Sequence, residues 1–115
     1  MSEIHVPDRW AIIKITGLDD KPLYKVLGSW CGGFAGKNSW KMNSGIEKVE
    51  LFEHGFLYHG YSGSIYKCYK GNYGTTSYSY GVFMSCKKEA ESQGMSFELL
   101  DEKEIEMLNR HLTNT

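Results

Sequence analysis

Seven of the 115 residues carry the imidazole and thiol groups most often found at reactive centres: four His and three Cys. Thiol chemistry needs a base within hydrogen-bonding reach, and a bound metal needs ligands that converge. Cys31 stands in Gly28-Ser-Trp-Cys-Gly-Gly33, with no His or acid beside it, while Cys68 and Cys86 lie far along the chain. His54 and His59 are five residues apart with a turn expected between them, which points their rings to opposite faces of a strand. His5 and His111 lie near the two ends. No G-x-S-x-G, P-loop or H-E-x-x-H is present, so no catalytic residue, metal ligand or cofactor is assigned. An odd Cys count without C-x-x-C spacing supports neither a disulfide framework nor zinc, and leaves the three Cys as small buried hydrophobes.

Recognition chemistry is better represented. Seven Tyr fall between Gly55 and Phe83 (Tyr58, Tyr61, Tyr66, Tyr69, Tyr73, Tyr78 and Tyr80), interleaved with Ser, Thr and Gly and flanked by Lys67 and Lys70. Tyr offers a wide contact area at low rotamer cost, and aromatics beside cations can also stack bases and hold phosphates. A second cluster lies in 28–45, where Lys37, Trp40 and Lys41 follow a glycine-rich segment. Strand Tyr are as readily core residues, because Tyr has high β-propensity. The three in the polar stretch Gly71–Tyr80 are expected in a long loop, and so in solvent. The candidate binding residues are therefore Lys37, Trp40, Lys41, His59, Tyr61, Lys67, Lys70, Tyr73, Tyr78 and Tyr80, with Trp30 expected in the core and Trp40 outside it.

Charge sorts along the chain although the net is only −1. Residues 21–46 and 54–88 contain no Asp or Glu, whereas 87–115 carry seven acids against four Lys/Arg. A mildly basic body with an acidic tail is not the field of a general nucleic-acid binder. Having only Arg9 and Arg110 also counts against reading DNA sequence, where Arg usually dominates base contacts. Lys87 and Lys88, followed by Glu89 and Glu91, read as a solvated helix face.

The elements that must position these residues follow from periodicity. Arg9–Thr16 and Leu23–Trp30 alternate and form a hairpin about the Gly17–Pro22 turn. Cys31–Ser39 is a loop, with Phe34 either plugged into the core or exposed. Trp40–Asn43, Ile46–Glu53, Phe56–Tyr61 and Ser64–Lys70 continue as a meander. Val82, Phe83, Cys86 and Ala90 mark a helix over 81–93, and Met95–Leu100 a last strand. Asp101 and Glu104 have capping-box spacing ahead of a helix over 102–112. The expected fold is one α+β domain: an antiparallel, meander-like sheet of about five or six strands with one or two C-terminal helices packed on it. With no long apolar run, neither a membrane span nor a signal peptide is expected, and the expected compartment is the cytoplasm.

The strings Arg9-Trp10, Ile13-Lys14-Ile15, Tyr24-Lys25-Val26-Leu27-Gly28-Ser29-Trp30, Gly32-Gly33, Ser39-Trp40-Lys41, Asn43-Ser44-Gly45 and Tyr61-Ser62-Gly63-Ser64 together resemble small accessory proteins of tailed bacteriophages. The resemblance covers about the first two thirds of the chain and carries no activity or functional residue with it. It implies a protein of the host cytoplasm that binds a host or phage macromolecule or sequesters a small signalling molecule. The expected function is non-enzymatic binding by protein–protein contact through the Tyr/Trp/Lys surface. The alternative is binding or sequestering a nucleotide or single-stranded nucleic acid through Lys37, Lys41, Lys67 and Lys70. The third is a small enzyme using Cys31 or His59. An uncovered aromatic sheet face would also allow a homodimer.

Overall fold

Trp10, 2% exposed, sits where the layers of the molecule meet. It belongs to β2 (Arg9–Thr16), which pairs antiparallel with β3 (Pro22–Trp30) along its whole length. The computed structural model describes residues 3–17, 21–31 and 37–113, so the Asp19-Asp20 turn and the expectation for Phe34 lie outside the described residues. β4 (Ser39–Met42) adds to β3, and β8 (Ser96–Leu99) adds to the other side of β2. This gives one sheet in the order β4-β3-β2-β8.

A second four-stranded sheet has the order β1-β7-β6-β5. Its antiparallel body is β5 (Ile46–Phe52), β6 (Gly55–Gly60) and β7 (Ile65–Tyr69). β1 (Ile4–His5), two residues long, lies parallel to β7 and is the one strand that alternation did not predict. The class is α+β: the described residues form eight strands in two sheets and two helices, α1 (Ser77–Ser92) and α2 (Glu102–Thr113).

The first sheet is the middle layer, which explains why both faces of β2 are apolar. Trp10 and Ile12, with Val26 of β3, meet Val49, Tyr58, Tyr66 and Cys68 of the second sheet and Ile105 and Leu108 of α2. Ile13 and Leu27 face the other way, onto Phe83 and Ala90 of α1 and Phe97 of β8. The stripe Val82, Phe83, Cys86 and Ala90 is thus the face α1 turns to the sheet. The Asp101–Glu104 capping box is made in both directions, Glu104 N–H to Asp101 Oδ1 at 2.8 Å and Asp101 N–H to Glu104 Oε1 at 3.0 Å.

One expected loop is corrected. Gly71–Tyr80 is not a long loop: a 3₁₀ turn covers Lys70–Asn72, and α1 begins at Ser77, four residues before the expected start. The cause is a second capping box. Thr76 Oγ1 accepts from Ser79 N–H at 3.0 Å, and Thr76 N–H donates to Ser79 Oγ at 2.8 Å. Ser stands where the pattern usually has Glu or Gln, which hides the box in the sequence. Tyr78 and Tyr80 are therefore helical, and Tyr80 stacks near Phe83. Tyr73 turns inward and lies 4.7 Å ring to ring from Trp10. Lys87 is also more than part of a solvated face, since its ammonium donates to the Phe97 carbonyl at 3.1 Å besides pairing with Glu91.

Candidate functional site

Strand register decides which side chains share a face. In the second sheet Val49, Tyr58 and Tyr66 lie in one cross-strand row, and Leu51, Phe56 and Cys68 in the next; these rows turn toward the first sheet and α2, although Leu51, at the aromatic cleft, remains 61% exposed. The alternate rows turn outward: Lys48, His59 and Ile65 with Ile4; then Glu50, Leu57 and Lys67; then Phe52, Gly55 and Tyr69. Among the described residues neither helix packs on this outer face, because α1 lies against the first sheet and α2 belongs to the inner cluster. Five large apolar or aromatic side chains thus stand on a sheet surface with no described layer over them: Ile4 is 61% exposed, and Phe52, Leu57, Ile65 and Tyr69 are half-buried.

The outer face is ordered by its own contacts. Phe52 and Tyr69 meet edge to face across Gly55, at 5.6 Å. Lys67 Nζ lies 5.2 Å from the Phe52 ring centre and 5.6 Å from that of Tyr69. His59 Nε2 and Glu50 Oε1 are 2.5 Å apart. A Cβ on Gly55 would run into the Cys68 carbonyl, so this close strand approach requires glycine there.

Three clefts open among the described residues. An aromatic cleft of about 500 Å³ is walled by Trp10, Phe56, Tyr73 and α2, with Lys70 Nζ 5.7 Å from the Phe56 ring centre. Trp10 donates its indole N–H to the Tyr69 carbonyl at 2.7 Å. Tyr73 donates its hydroxyl to the Leu100 carbonyl at 2.5 Å, and burial pushes that hydroxyl up to about 12. At the floor, Tyr58 donates to Asn109 Oδ1 at 2.9 Å; burial raises the Tyr58 hydroxyl far above its ordinary value, although this bond opposes the shift. A polar cleft of about 440 Å³ is lined by Lys25, Lys41, Asn43, three Ser, His5 and Tyr66, with Glu3 as its one acid. The third, of about 580 Å³, runs between α2 and the Tyr24–Ile46 region and includes Tyr61.

The expected binding residues are distributed rather than gathered. His59 and Lys67 share the outer face of the second sheet. Lys70 and Tyr73 line the aromatic cleft, Lys41 the polar one, and Tyr61 the third. Trp40 is 41% exposed on edge strand β4, just after Lys37, and Trp30 is half-buried against the core. Tyr78 and Tyr80 ride on α1. The single basic, aromatic surface read from composition is thus split over several faces. Tyr73 in particular is a packing residue, because the Leu100 carbonyl, the Ile12 N–H and the Trp10 ring hold it inward.

Cys31 is exposed, and its N–H donates to Asp8 Oδ2 at 2.7 Å. Neither Cys31 nor His59 lines any of the three clefts, and among the described residues no three His, Cys, Asp or Glu converge as a metal site. Cys68 is buried, which raises its thiol well above the ordinary value, whereas Cys31 breaks the expectation that all three Cys are buried. Among the described residues no helix is long and apolar enough to cross a membrane. Sequence reading missed Lys25, Asn43, Ser44, Ser62 and Ser64 of the polar cleft. The only signal there was two turns, Ser44-Gly45 and Ser62-Gly63, which nothing in the sequence placed side by side.

Comparison of the chain with protein families, curated proteins and solved structures finds no match in any of the three.

Proposed function

We propose that the protein is a non-enzymatic binding protein that acts by contact with another protein, and that the outer face of the second sheet is its contact surface. The observation that carries this reading is the uncovered face itself: Ile4, Phe52, Leu57, Ile65 and Tyr69 surround Lys67, with no element over them among the described residues. Contiguous exposed apolar surface is uncommon on monomers and marks interaction sites. Aromatic residues are enriched at interface centres, and several of these rings are already fixed by neighbours, so little side-chain freedom is lost on binding. Lys67, held between two rings, asks for a carboxylate in the partner, set within an apolar patch. A host-cytoplasm or phage protein is the proposed partner, in keeping with a phage-type accessory role.

Leu57 lies at the middle of the face, so Leu57→Glu places a charge there while leaving the inner rows intact. The immobilised wild-type protein should retain a partner from bacterial lysate that the folded Leu57→Glu variant loses, with Trp40→Ala retaining it. Equal recovery on all three baits, or none on any, would sink the proposal. Sedimentation of both proteins alone checks whether the occupant is instead a second copy, which would appear as a wild-type dimer and a variant monomer.

A further inference from the structure

The polar cleft holds an amide donor that the protein leaves without an acceptor. Asn43 is 4% exposed, and its Nδ2 finds no hydrogen-bond partner among the described residues. Its orientation is not free. Val26 N–H donates to the other amide atom at 2.8 Å, and only an oxygen can accept there. The NH₂ group is therefore fixed in orientation, on a residue that lines the cleft. Asn109 also leaves Nδ2 unpartnered in the aromatic cleft, but its other atom faces the Tyr58 hydroxyl, which can donate or accept, so that amide is not locked. An unmade bond to a buried donor is costly, and few such groups persist without a reason.

What surrounds Asn43 is nearly all donors. Lys25 and Lys41 supply two ammonium groups, and Ser44, Ser62, Ser64 and Tyr66 four hydroxyls. Glu3 is the one carboxylate; it is 71% exposed and already lies 3.3 Å from His5 Nε2. The local charge is therefore positive in a protein whose net charge is −1. The walls are tied together. Ser62 N–H donates to Ser44 Oγ at 2.9 Å, Tyr61 N–H to the Gly45 carbonyl at 3.1 Å, and Asn43 N–H to the Val26 carbonyl at 3.1 Å. The Ile65 N–H holds the segment before β1 through the Glu3 carbonyl at 2.8 Å. A Cβ on Gly60 would stand 3.3 Å from Ser44 Oγ and 3.5 Å from Asn43 Nδ2, so the backbone of β6 passes close beside the amide.

We infer that this cleft binds a phosphate-type oxyanion, free or as the phosphomonoester of a small molecule, with Asn43 Nδ2 as the buried donor and Lys25 and Lys41 as the charges. Several preset donors around one tetrahedral anion make charge-assisted bonds without reorganisation. The site takes Lys41 from the residues expected to contact nucleotides and adds Lys25, Asn43, Ser44, Ser62 and Ser64, which composition did not suggest. It is independent of the outer sheet face.

The test is a titration of ¹⁵N-labelled protein with inorganic phosphate at ionic strength held constant with potassium chloride, repeated with adenosine monophosphate and with acetate. Saturable shifts of the Asn43 side-chain amide and of the amides of 43–45 and 62–64 are expected. Asn43→Asp keeps an oxygen for Val26 N–H but replaces the donor with a negative charge, and should weaken binding at least about tenfold. Should that variant fail to fold, the double variant Lys25→Met/Lys41→Met carries the same expectation, since both residues lie on strands whose pairing is through backbone. Tighter binding of the monophosphate than of inorganic phosphate assigns an organic phosphate, and the reverse assigns the free anion. Absence of saturable shifts with both, equal response to acetate, or variants that bind as the wild type would overturn the inference.

Discussion

Tyr73 shows how one residue changes meaning once its neighbours are known. Its sequence surroundings, Gly71-Asn72-Tyr73-Gly74, look like a solvent-facing loop. In the fold its hydroxyl spans from the Ile12 N–H to the Leu100 carbonyl, tying β2 to the start of the chain's last helix, and its ring packs on Trp10. Burial is the main cause of its raised pKa, followed in the same direction by the charges of Glu104, Asp101 and Glu102, while the Ile12 bond opposes the rise. The folded value of about 12 lies above the unfolded value of 10.0, so the folded state holds this proton more tightly. The stability this provides is complete below pH 10 and disappears as pH rises toward about 12. Urea midpoints followed between pH 9 and 12 should fall for the wild type, and fall less steeply for Tyr73→Phe, with Tyr58, Tyr66 and Cys68, all raised by burial, supplying the remaining slope. Parallel pH profiles would show that Tyr73 does not titrate against folding.

At the scale of elements, legibility tracks periodicity. β2 was readable to its ends because its eight residues are rich in strand formers and stop at the Gly17 turn, and α2 because Asp101 and Glu104 spell out its cap. α1 was readable only in its second half, where Phe83, Cys86 and Ala90 repeat; its first turn, Ser77 to Tyr80, has no apolar stripe and a cap closed by Ser79. β1 was unreadable because two residues carry no period, and its pairing with β7 is a tertiary fact. The corrected start of α1 can be measured. Gly81 lies inside the helix, exposed, with open space where a Cβ would go. Gly81→Ala should therefore stabilise the protein by about 1 kcal/mol in urea unfolding, the usual helix-interior difference between the two residues. A loop at 71–81 would return no change or a loss.

For the whole molecule, the class and the single chain of strands and helices were legible, but the division into two sheets was not. Alternation tells which residues of a strand share a face, not which strand lies beside it. The candidate sites were hidden for the same reason: Asn43, Ser62 and Lys25 meet only because three connections bring them to one corner. That corner has a further property, which follows from the shortness of β1. β2 to β4 and β5 to β7 each fold back on the preceding strand, whereas β1 reaches β7 by joining Ile4 to Ile65, and β8 reaches β2 by joining Leu99 to Ile13. Such distant pairings close after local ones, and a two-residue strand is the weakest of them. β1 is therefore the first part of the native structure to open. Native-state hydrogen exchange should find the Ile65 amide, bonded to Glu3, exchanging long before that of Tyr58; equal protection would place β1 in the same cooperative unit as the core. The segment that opens is also one wall of the polar cleft, so the wall formed by Glu3 and His5 is the part of that site least fixed by the fold.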